Sequence, residues 1–185
     1  MKMFKMMLLA GLVALPLGAA AQAADVDPPI AADPGMTGLY LRGDIGWSML
    51  TWDGGDDDNA WLGSAGLGYR FNDNLRSDIT ADWSGDYDIG TGEISSHILM
   101  GNAYWDFANG SGFTPYVGAG VGYGWVNGSG GASDDSGLAL GVTAGVTADI
   151  TSNLAVDVGY HFKDIMLDGD DVMQHALTTG LRFSF

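Results

Sequence analysis

The sequence contains no cysteine, which excludes disulfide scaffolds, thiolate metal sites and cysteine nucleophiles. Basic residues are scarce: 7 Lys and Arg stand against 23 Asp and Glu, for a formal net charge of −16. Such a chain lacks the basic stripe that a phosphate backbone requires, so we expect no nucleic-acid partner. After the first 24 residues, no apolar run approaches about 18 residues, the length that a transmembrane helix needs. We therefore expect no spanning helix in that part of the chain.

Glycine and aromatic residues are abundant instead. The 185 residues include 30 glycines, 6 tryptophans, 7 tyrosines and 7 phenylalanines, and 46% of the chain is hydrophobic. Glycine makes up only about 7% of an average protein. This apolar content argues against disorder despite the charge, because the chain has enough apolar surface to require burial. The length suits a single domain.

The N-terminus has the pattern of a secretory signal peptide over residues 1–24. Lys2 and Lys5 precede an apolar stretch at residues 6–17, and Ala21-Gln22-Ala23 forms a small-residue cleavage box. A transmembrane helix is the weaker alternative, because the apolar stretch is short and ends in Ala and Gly. Residues 25–37 contain three prolines and are predicted to form a short periplasmic lead. The remaining residues, 38–185, form the predicted domain.

From residue 38 onward, apolar residues recur at every second position, as expected of β-strands with one apolar face. Glycine, threonine, tyrosine and charged residues occupy the opposite face. Eight segments of this kind are separated by Gly-, Asp- and Asn-rich breaks. The segments are 38–49, 61–71, 75–84, 94–107, 113–126, 137–150, 154–163 and 172–185. Short breaks (72–74, 108–112, 151–153) alternate with longer ones (50–60, 85–93, 127–136, 164–171), which predicts tight turns at one rim and loops at the other.

Charged residues within the strands are confined to the polar face. We predict that they form a charge network inside a barrel: Arg42, Asp44, Arg70, Arg76, Asp78, Asp82, Asp106, Asp149, Asp157, Lys163 and Arg182. An uncharged apolar face suits lipid, where an outward Arg or Lys at the midplane costs about 2–4 kcal/mol. An open sheet in lipid would leave edge groups unpaired, so the sheet must close. The sequence therefore predicts an all-β fold, an eight-stranded antiparallel transmembrane β-barrel whose ion pairs plug the lumen.

The outward-facing aromatic residues fall into two predicted belts, as expected at two membrane interfaces. With the N-terminus periplasmic, the outer belt comprises Trp47, Trp61, Trp83, Tyr123, Trp125, Tyr160 and Phe162. The inner belt comprises Tyr69, Phe71, Trp105, Phe107, Phe113, Phe183 and Phe185. Ser77, His97 and His175 also face outward in this pattern, and we expect them near the rims.

Several motifs resemble the opacity-protein-like, or porin-like, family of small outer-membrane barrels. They are Leu39-Tyr40-Leu41-Arg42-Gly43-Asp44-Ile45-Gly46 in the first strand, Asn102-Ala103-Tyr104-Trp105-Asp106-Phe107 in the fourth and Thr114-Pro115-Tyr116-Val117-Gly118-Ala119-Gly120-Val121-Gly122-Tyr123-Gly124 in the fifth, together with the closing strand that ends in Phe185. The resemblance implies a barrel like the OmpA transmembrane domain and a surface antigen of the Gram-negative cell outer membrane. It also implies that the C-terminal strand, with Phe185, is read by the outer-membrane assembly machinery. Lipid and lipopolysaccharide are then the expected surroundings.

The sequence offers few candidates for chemistry. The row Gly118, Gly120, Gly122 and Gly124 lacks the spacing of a nucleotide loop, and we expect these glycines to make room for side chains in the lumen. Asp56, Asp57, Asp58, Asp168, Asp170 and Asp171 are weak cation-site candidates in outer loops, where solvated carboxylates are the favoured interpretation. Divalent ions could bridge these carboxylates to lipopolysaccharide phosphates. Ser95, Ser96 and His97 are too close along one strand to form a catalytic triad, so we predict no enzyme activity and no cofactor.

We therefore predict an integral outer-membrane surface protein with a structural, envelope role and acidic extracellular loops. Two alternatives stay open at this point. One is a small-solute or ion pore, which depends on whether the inward charges are paired. The other is an adhesin or ligand receptor acting through the loops at 53–59 and 165–171.

Overall fold

The computed structural model describes residues 37–52, 58–88, 93–129, 135–166 and 172–185. Within these ranges the chain forms nine β-strands, which are, in order, β1 (Gly38–Trp52), β2 (Asp58–Arg70), β3 (Leu75–Ser84), β4 (Tyr87–Asp88), β5 (Glu93–Asp106), β6 (Phe113–Ser129), β7 (Asp135–Asp149), β8 (Leu154–Met166) and β9 (Val172–Ser184). Over the same residues, no helix is both long and apolar enough to cross a membrane. The predicted signal peptide and most of the predicted lead lie outside the described residues.

Eight of these strands form a closed antiparallel barrel. Each long strand pairs with its neighbours in the chain, β1 pairs with β9, and a β3–β5 pairing completes the ring. Strand β4 has two residues and extends the β3–β5 hairpin by pairing with the start of β5. Closure leaves no long strand with an unpaired edge, which is the condition for a sheet in lipid. The predicted all-β, eight-stranded fold is confirmed.

The two ends of the barrel differ. We call the end with the short connections at 71–74, 107–112 and 150–153 the turn end, and the opposite end the loop end. Two turns at the turn end use one device, in which an asparagine binds the neighbouring strand through both its backbone and its side chain. Asn74 Nδ2 donates to the Asp106 carbonyl and Asn153 Nδ2 to the Ser184 carbonyl, each at 2.8 Å. In the opposite direction, the backbone amides of Asp106 and Ser184 donate to the backbone carbonyls of Asn74 and Asn153, also at 2.8 Å.

Through the middle of the barrel, apolar side chains point outward and polar ones inward. Ile45 is 69% exposed, whereas the adjacent Asp44 is 6% exposed. Both aromatic belts are on the outer surface as predicted, although Phe162 is only half-buried rather than fully exposed. This arrangement is the reverse of a water-soluble barrel, and it agrees with the predicted lipid-facing surface.

Toward the loop end the strands continue beyond the predicted segments, and their two faces exchange character. Residues predicted as loop at 50–52, 58–60, 127–129, 135–136 and 164–166 belong to β1, β2, β6, β7 and β8. Leu50, Val126 and Ile165 now point inward and are buried, while Asn59 and Asn127 point outward and are exposed. The prediction of long loops at these positions is wrong, because the outward face of the strands, which is apolar over the predicted segments, becomes polar here while the strands continue.

Candidate functional site

The lumen is the part of this molecule with concentrated polar chemistry. Its turn half contains the charged residues between Asp44 and the turn end. Its loop half contains an apolar cluster formed by Leu50, Ala60, Tyr87, Ile98, Met100, Val126, Ala139, Ile165 and Val172. We use the names turn half and loop half in this sense.

Asp78 is the centre of one cluster in the turn half. The Arg42 guanidinium forms two hydrogen bonds to Asp44, each 2.9 Å, and a third of 3.3 Å to Asp78. Asp78 also accepts from the hydroxyls of Tyr40 and Tyr104 at 3.1 Å and from Asn102 Nδ2 at 2.9 Å. Strands β1, β3 and β5 are thereby tied together across the interior, and the charges are compensated away from water.

A second cluster surrounds Asp106, close to the turn end. Arg76 Nε lies 3.0 Å from both Asp106 oxygens, and Arg70 Nη2 lies 3.6 Å from Oδ2. The Arg76 guanidinium carbon lies 4.0 Å from the Tyr104 ring centre and 4.7 Å from that of Tyr116. Arg76 is fully buried, and its two Nη atoms have no hydrogen-bond partner among the described residues. The faces of the two tyrosine rings therefore supply the attraction that hydrogen bonds do not.

Two further pairs complete the charged interior. Arg182 Nη2 lies 3.7 Å from Asp157 Oδ1 and donates to Thr147 Oγ1 at 3.2 Å. Lys163 Nζ donates to Asp82 Oδ2 at 2.7 Å, just below the apolar cluster. Most of these side chains are almost completely buried, so each ion depends on its partner and not on solvent.

A small polar cavity, with about 30 Å³ accessible to water, lies between the charged clusters and the apolar cluster. Its polar lining includes Asp82, Thr143, His161 and Lys163. His161 Nε2 and Thr178 Oγ1 are 3.0 Å apart, so the ring has a partner on the neighbouring strand. Leu62 and Met100 form part of the lining toward the loop end, and Arg42 and Tyr104 toward the turn end.

The glycine row lies opposite the inward side chains of β5, in agreement with the prediction that these glycines make room in the lumen. Tyr104 is paired with Gly118 and Tyr116 with Gly145 across neighbouring strands. A Cβ on Gly118 would lie 2.5 Å from Tyr104 Cδ1, and one on Gly145 would lie 2.6 Å from Tyr116 Cζ. The rings of Tyr104 and Tyr116 therefore pack directly against the glycine backbone of β6 and β7.

Tyr87 closes the loop half. The sequence placed it in an outer loop, but its side chain is fully buried in β4 and reaches across the lumen. Its hydroxyl makes a short hydrogen bond with Ser48 Oγ on β1 and accepts from Gln174 Nε2 on β9 at 3.1 Å. The expectation of a loop position for Tyr87 is therefore wrong, because a hydroxyl that bonds two strands on the far wall can be buried without losing its partners.

The structure brings ten of the eleven charged residues named from the sequence into ion pairs. The eleventh, Asp149, lies at the end of β7 and makes no ion pair with a described residue. Tyr40, Tyr104 and Tyr116 were placed on the polar face by the sequence but given no role. Tyr40 and Tyr104 occur two residues from Arg42 and Asp106 on the polar face, and this spacing was the sequence signal that could have placed them in the charge network.

The weak cation-site candidates fall mostly outside the described residues. This applies to Asp56, Asp57, Asp168, Asp170 and Asp171, while Asp58 begins β2. The described residues contain no group of three or more His, Asp or Glu side chains arranged to hold a metal ion. Ser96 points into the lumen, where it bonds Ser84 Oγ at 3.0 Å, and His97 points outward. The two side chains therefore do not share a site.

Comparisons with known proteins agree with this geometry. Residues 8–185 match the family model described as outer membrane protein beta-barrel domain. Uncharacterized proteins of Brucella abortus and Brucella melitensis are 32% identical over 58% of this chain and 57% of their own length. The chain thus spans little more than half the length of these curated relatives.

Solved structures show the same fold. Neisserial surface protein A has a TM-score of 0.72 and 24% identity, and the match covers 80% of this chain and 97% of that one. OprG of Pseudomonas aeruginosa has a TM-score of 0.54 at 15% identity, with 86% of this chain and 100% of that chain covered. Ail of Yersinia pestis has a TM-score of 0.51 at 18% identity, with coverage of 79% and 99%. At these identities the likeness concerns the fold alone.

Proposed function

Because the chain belongs to the outer membrane protein beta-barrel family and resides in the Gram-negative outer membrane, we propose that it is a non-conducting surface barrel with a structural role in the envelope. In this role the barrel occupies the outer membrane, with the turn end periplasmic and the loop end outside. Its acidic loops contribute negative charge to the cell surface.

The filling of the lumen at two levels is the observation that carries this proposal. In the turn half, paired arginines and aspartates with their tyrosine partners occupy the interior. In the loop half, the buried side chains of Leu50, Ile98 and Ile165 meet below Tyr87. An ion would have to displace both layers, and the second consists mainly of apolar side chains that cannot replace its hydration shell.

Single-channel recording in planar bilayers tests the closed lumen. The folded protein, identified by its different migration in boiled and unboiled samples, should give no stable conductance steps. A general porin in the same bilayers shows that steps are detectable. Stable steps in the nanosiemens range from the unmodified barrel would overturn the proposal.

A narrow ion pore is the second candidate, and the polar cavity favours it. The cavity already provides a polar path along part of the barrel axis, past Asp82, His161 and Lys163. If this path conducts, currents should be small, and Lys163→Met should change their ion selectivity because it removes a cation beside Asp82. Currents insensitive to this substitution would exclude a route through the cavity.

Binding through the loops is the third candidate, and it rests on the loop acids. The name of Ail refers to attachment and invasion, but the similarity to this chain is one of fold. Deletion of 53–57 and 167–171 would remove these loops and leave the strands intact. The wider deletion from 165 would remove Ile165, which is fully buried in the apolar cluster. Unchanged adhesion of cells expressing the loop-deleted barrel would exclude an adhesin role.

The C-terminal strand is the proposed contact with the outer-membrane assembly machinery. Phe185 is 64% exposed, stacks edge-on with Phe183 at 5.3 Å, and its amide bonds the Leu39 carbonyl at 3.1 Å. We expect Phe185→Ala to slow assembly in cells while leaving refolding into detergent unchanged. Equal losses in both assays would indicate a purely structural role.

Secretion, the absence of enzyme activity and the absence of a cofactor also remain proposals. A signal peptide over 1–24 predicts a mature N-terminus at or next to residue 25, which N-terminal sequencing of the membrane form would identify. The opposed directions of Ser96 and His97 support a non-enzymatic role. Lipid hydrolysis by the purified barrel, lost on substitution of Ser95, would contradict it.

A further inference from the structure

The outer belt contains two histidines at positions where the other strands carry aromatic rings. Trp47, Trp61 and Trp83 represent β1, β2 and β3, while His97 occupies β5 and His175 occupies β9. All Lys and Arg side chains of the described strands point into the lumen. Among the described strand residues, His97 and His175 are therefore the basic side chains on the outer surface. The two histidines differ in what surrounds them.

His175 already has partners in the protein. Its Nδ1 lies 2.6 Å from the Tyr160 hydroxyl, and its ring centre lies 5.0 Å from that of Phe162. Asp164 follows Phe162 on the outward face of β8 and lies diagonally across from His175. A carboxylate at this diagonal position adds negative charge near His175, which disfavours an anionic ligand there.

His97 has no such support. It lies between Trp83 on β3 and Trp125 on β6, with which it is in register. The ring is exposed, and it makes no hydrogen bond or ring contact with a described residue. The Trp83 ring lies over Gly63 of β2, on the side of β3 away from His97, since a Cβ on Gly63 would come 2.6 Å from its Cε2 atom. An imidazole that faces lipid without a partner carries a desolvation cost, and a headgroup at this depth would remove it.

The depth of His97 is marked by the exchange of faces along β5. On the outward face of β5, His97 lies between Leu99 and Ser95. Leu99, on the membrane side of His97, is exposed and apolar, whereas Ser95, on the loop side, is polar. The two belts also differ in chemistry. Six of the seven outer rings are Trp or Tyr, which carry N–H or O–H donors, but five of the seven inner rings are Phe. The outer rim is therefore the one supplied with donors for an acceptor-rich lipid layer.

We propose that His97, flanked by Trp83 and Trp125, binds the phosphorylated sugar headgroup of an outer-leaflet glycolipid. The imidazole N–H donates to a phosphate oxygen, and the indoles pack against the sugar and the upper acyl chains. The site depends on the loop end facing outward but not on whether the lumen conducts. Its failure is therefore distinguishable from failure of the proposed function.

Histidine NMR in lipid nanodiscs tests this site in the unmodified protein. The chain has three histidines, so ¹⁵N-histidine labelling gives three ring signal sets, of which His161 in the lumen is an internal control. Addition of diphosphorylated lipid A to phosphatidylcholine nanodiscs should shift the His97 signals and leave those of His161 and His175 in place. Enzymatically dephosphorylated lipid A should produce no shift. An unmoved His97, an equal response to dephosphorylated lipid, or an equal shift of His175 would each overturn the proposal.

Thermal stability gives a second readout with a matched pair of variants. Diphosphorylated lipid A should raise the temperature at which half the folded band is lost. The expected increase is about 2–4 °C if lipid binding shifts the folding equilibrium about fivefold toward the folded state. His97→Phe should lose this increment, because phenylalanine suits the belt but has no N–H. His175→Phe should keep the increment while starting from a lower temperature, since it loses the Tyr160 hydrogen bond. Retention of the full increment in His97→Phe would overturn the proposal.

Discussion

The turn half and the loop half of the lumen are filled by opposite chemistry, and the outer surface changes in the opposite sense at the same level. Where the wall faces lipid, as at Ile45 and Leu67, the interior holds Arg42 and Asp78. Where the wall carries Asn59 and Asn127 outside, the interior is an apolar cluster. The face of a strand that is apolar thus depends on the medium outside the barrel. Within one strand, the outward face is apolar where it contacts lipid, and the inward face is apolar near the loop end.

The two halves are also stabilised differently. In the loop half, burial of apolar surface from water contributes about 25 cal/mol per Å². In the turn half, the lipid removes that driving force from the outer wall, and the interior is stabilised by compensated charges and hydrogen bonds. Removing one member of a compensated set leaves the others buried and unpaired, which costs more than the set contributes. Substitutions in the two halves should therefore differ in size and in what restores stability.

Asp78→Ala should have the largest effect and locate the stability of the turn half. It removes an acceptor shared by Arg42, Tyr40 and Tyr104 and leaves the buried Arg42 guanidinium with Asp44 as its only carboxylate partner among the described residues. We expect a loss of about 3–5 kcal/mol in the free energy of unfolding. Urea titration of the folded band in detergent micelles measures it. The control is Asp149→Ala at the rim, which should change little; equal losses would show that the charge clusters are not what holds the turn half together.

Ile98→Ala should have the next largest effect and probe the loop half. The side chain is 2% exposed within the apolar cluster, and its truncation leaves a cavity. A loss of about 2–4 kcal/mol follows from the range for such truncations. Val121→Ala is the matched control, because Val121 faces outward in the lipid-facing part of β6 and acyl chains can fill the space. If both variants lose the same stability in the same micelles, the loop half is not a water-excluding core.

The sequence was sufficient for the barrel, its two faces and both aromatic belts, since each depends on a period of two that lipid enforces along the whole span. It was not sufficient for the strand ends toward the loops. At Leu50 and Val126 the apolar residue changes face, so the pattern that identified the strand no longer identifies it. Pairing inside the lumen was also beyond the sequence: Lys163 bonds Asp82, 81 residues away, and the choice between Asp82 and Asp78 depends on strand stagger, which alternation does not encode.

Gly120→Ala tests whether the bare wall of β6 is required by the contents of the turn half. A Cβ there would overlap Asn102 Oδ1 and lie 2.9 Å from Met100 Cε, so Asn102 would have to shift from Asp78. We expect a loss of about 1–3 kcal/mol, the range for overpacking a filled interior. Gly43→Ala is the control, because a Cβ at that outward position meets nothing nearer than 3.9 Å. Thermal denaturation followed on gels distinguishes the two; equal behaviour would mean that the glycines only ease strand curvature.

Tyr87→Phe should have the smallest effect and decide how much of the loop half depends on polar contacts. It keeps the ring in the apolar cluster and removes the hydroxyl that joins Ser48 and Gln174. Ser48 retains its bond to the Ala60 carbonyl at 3.1 Å, so the chief loss is the partner of Gln174 Nε2. A cost of about 1–2 kcal/mol follows from leaving one buried amide donor unpaired. Tyr123→Phe, which removes an exposed hydroxyl bonded to Ser136, should cost almost nothing in the same urea titration. If the Tyr87→Phe barrel is as stable as this control, apolar packing alone stabilises the loop half. Polar contacts would then matter for stability only in the turn half, a greater difference between the two halves than the hydrogen bonds of Tyr87 indicate.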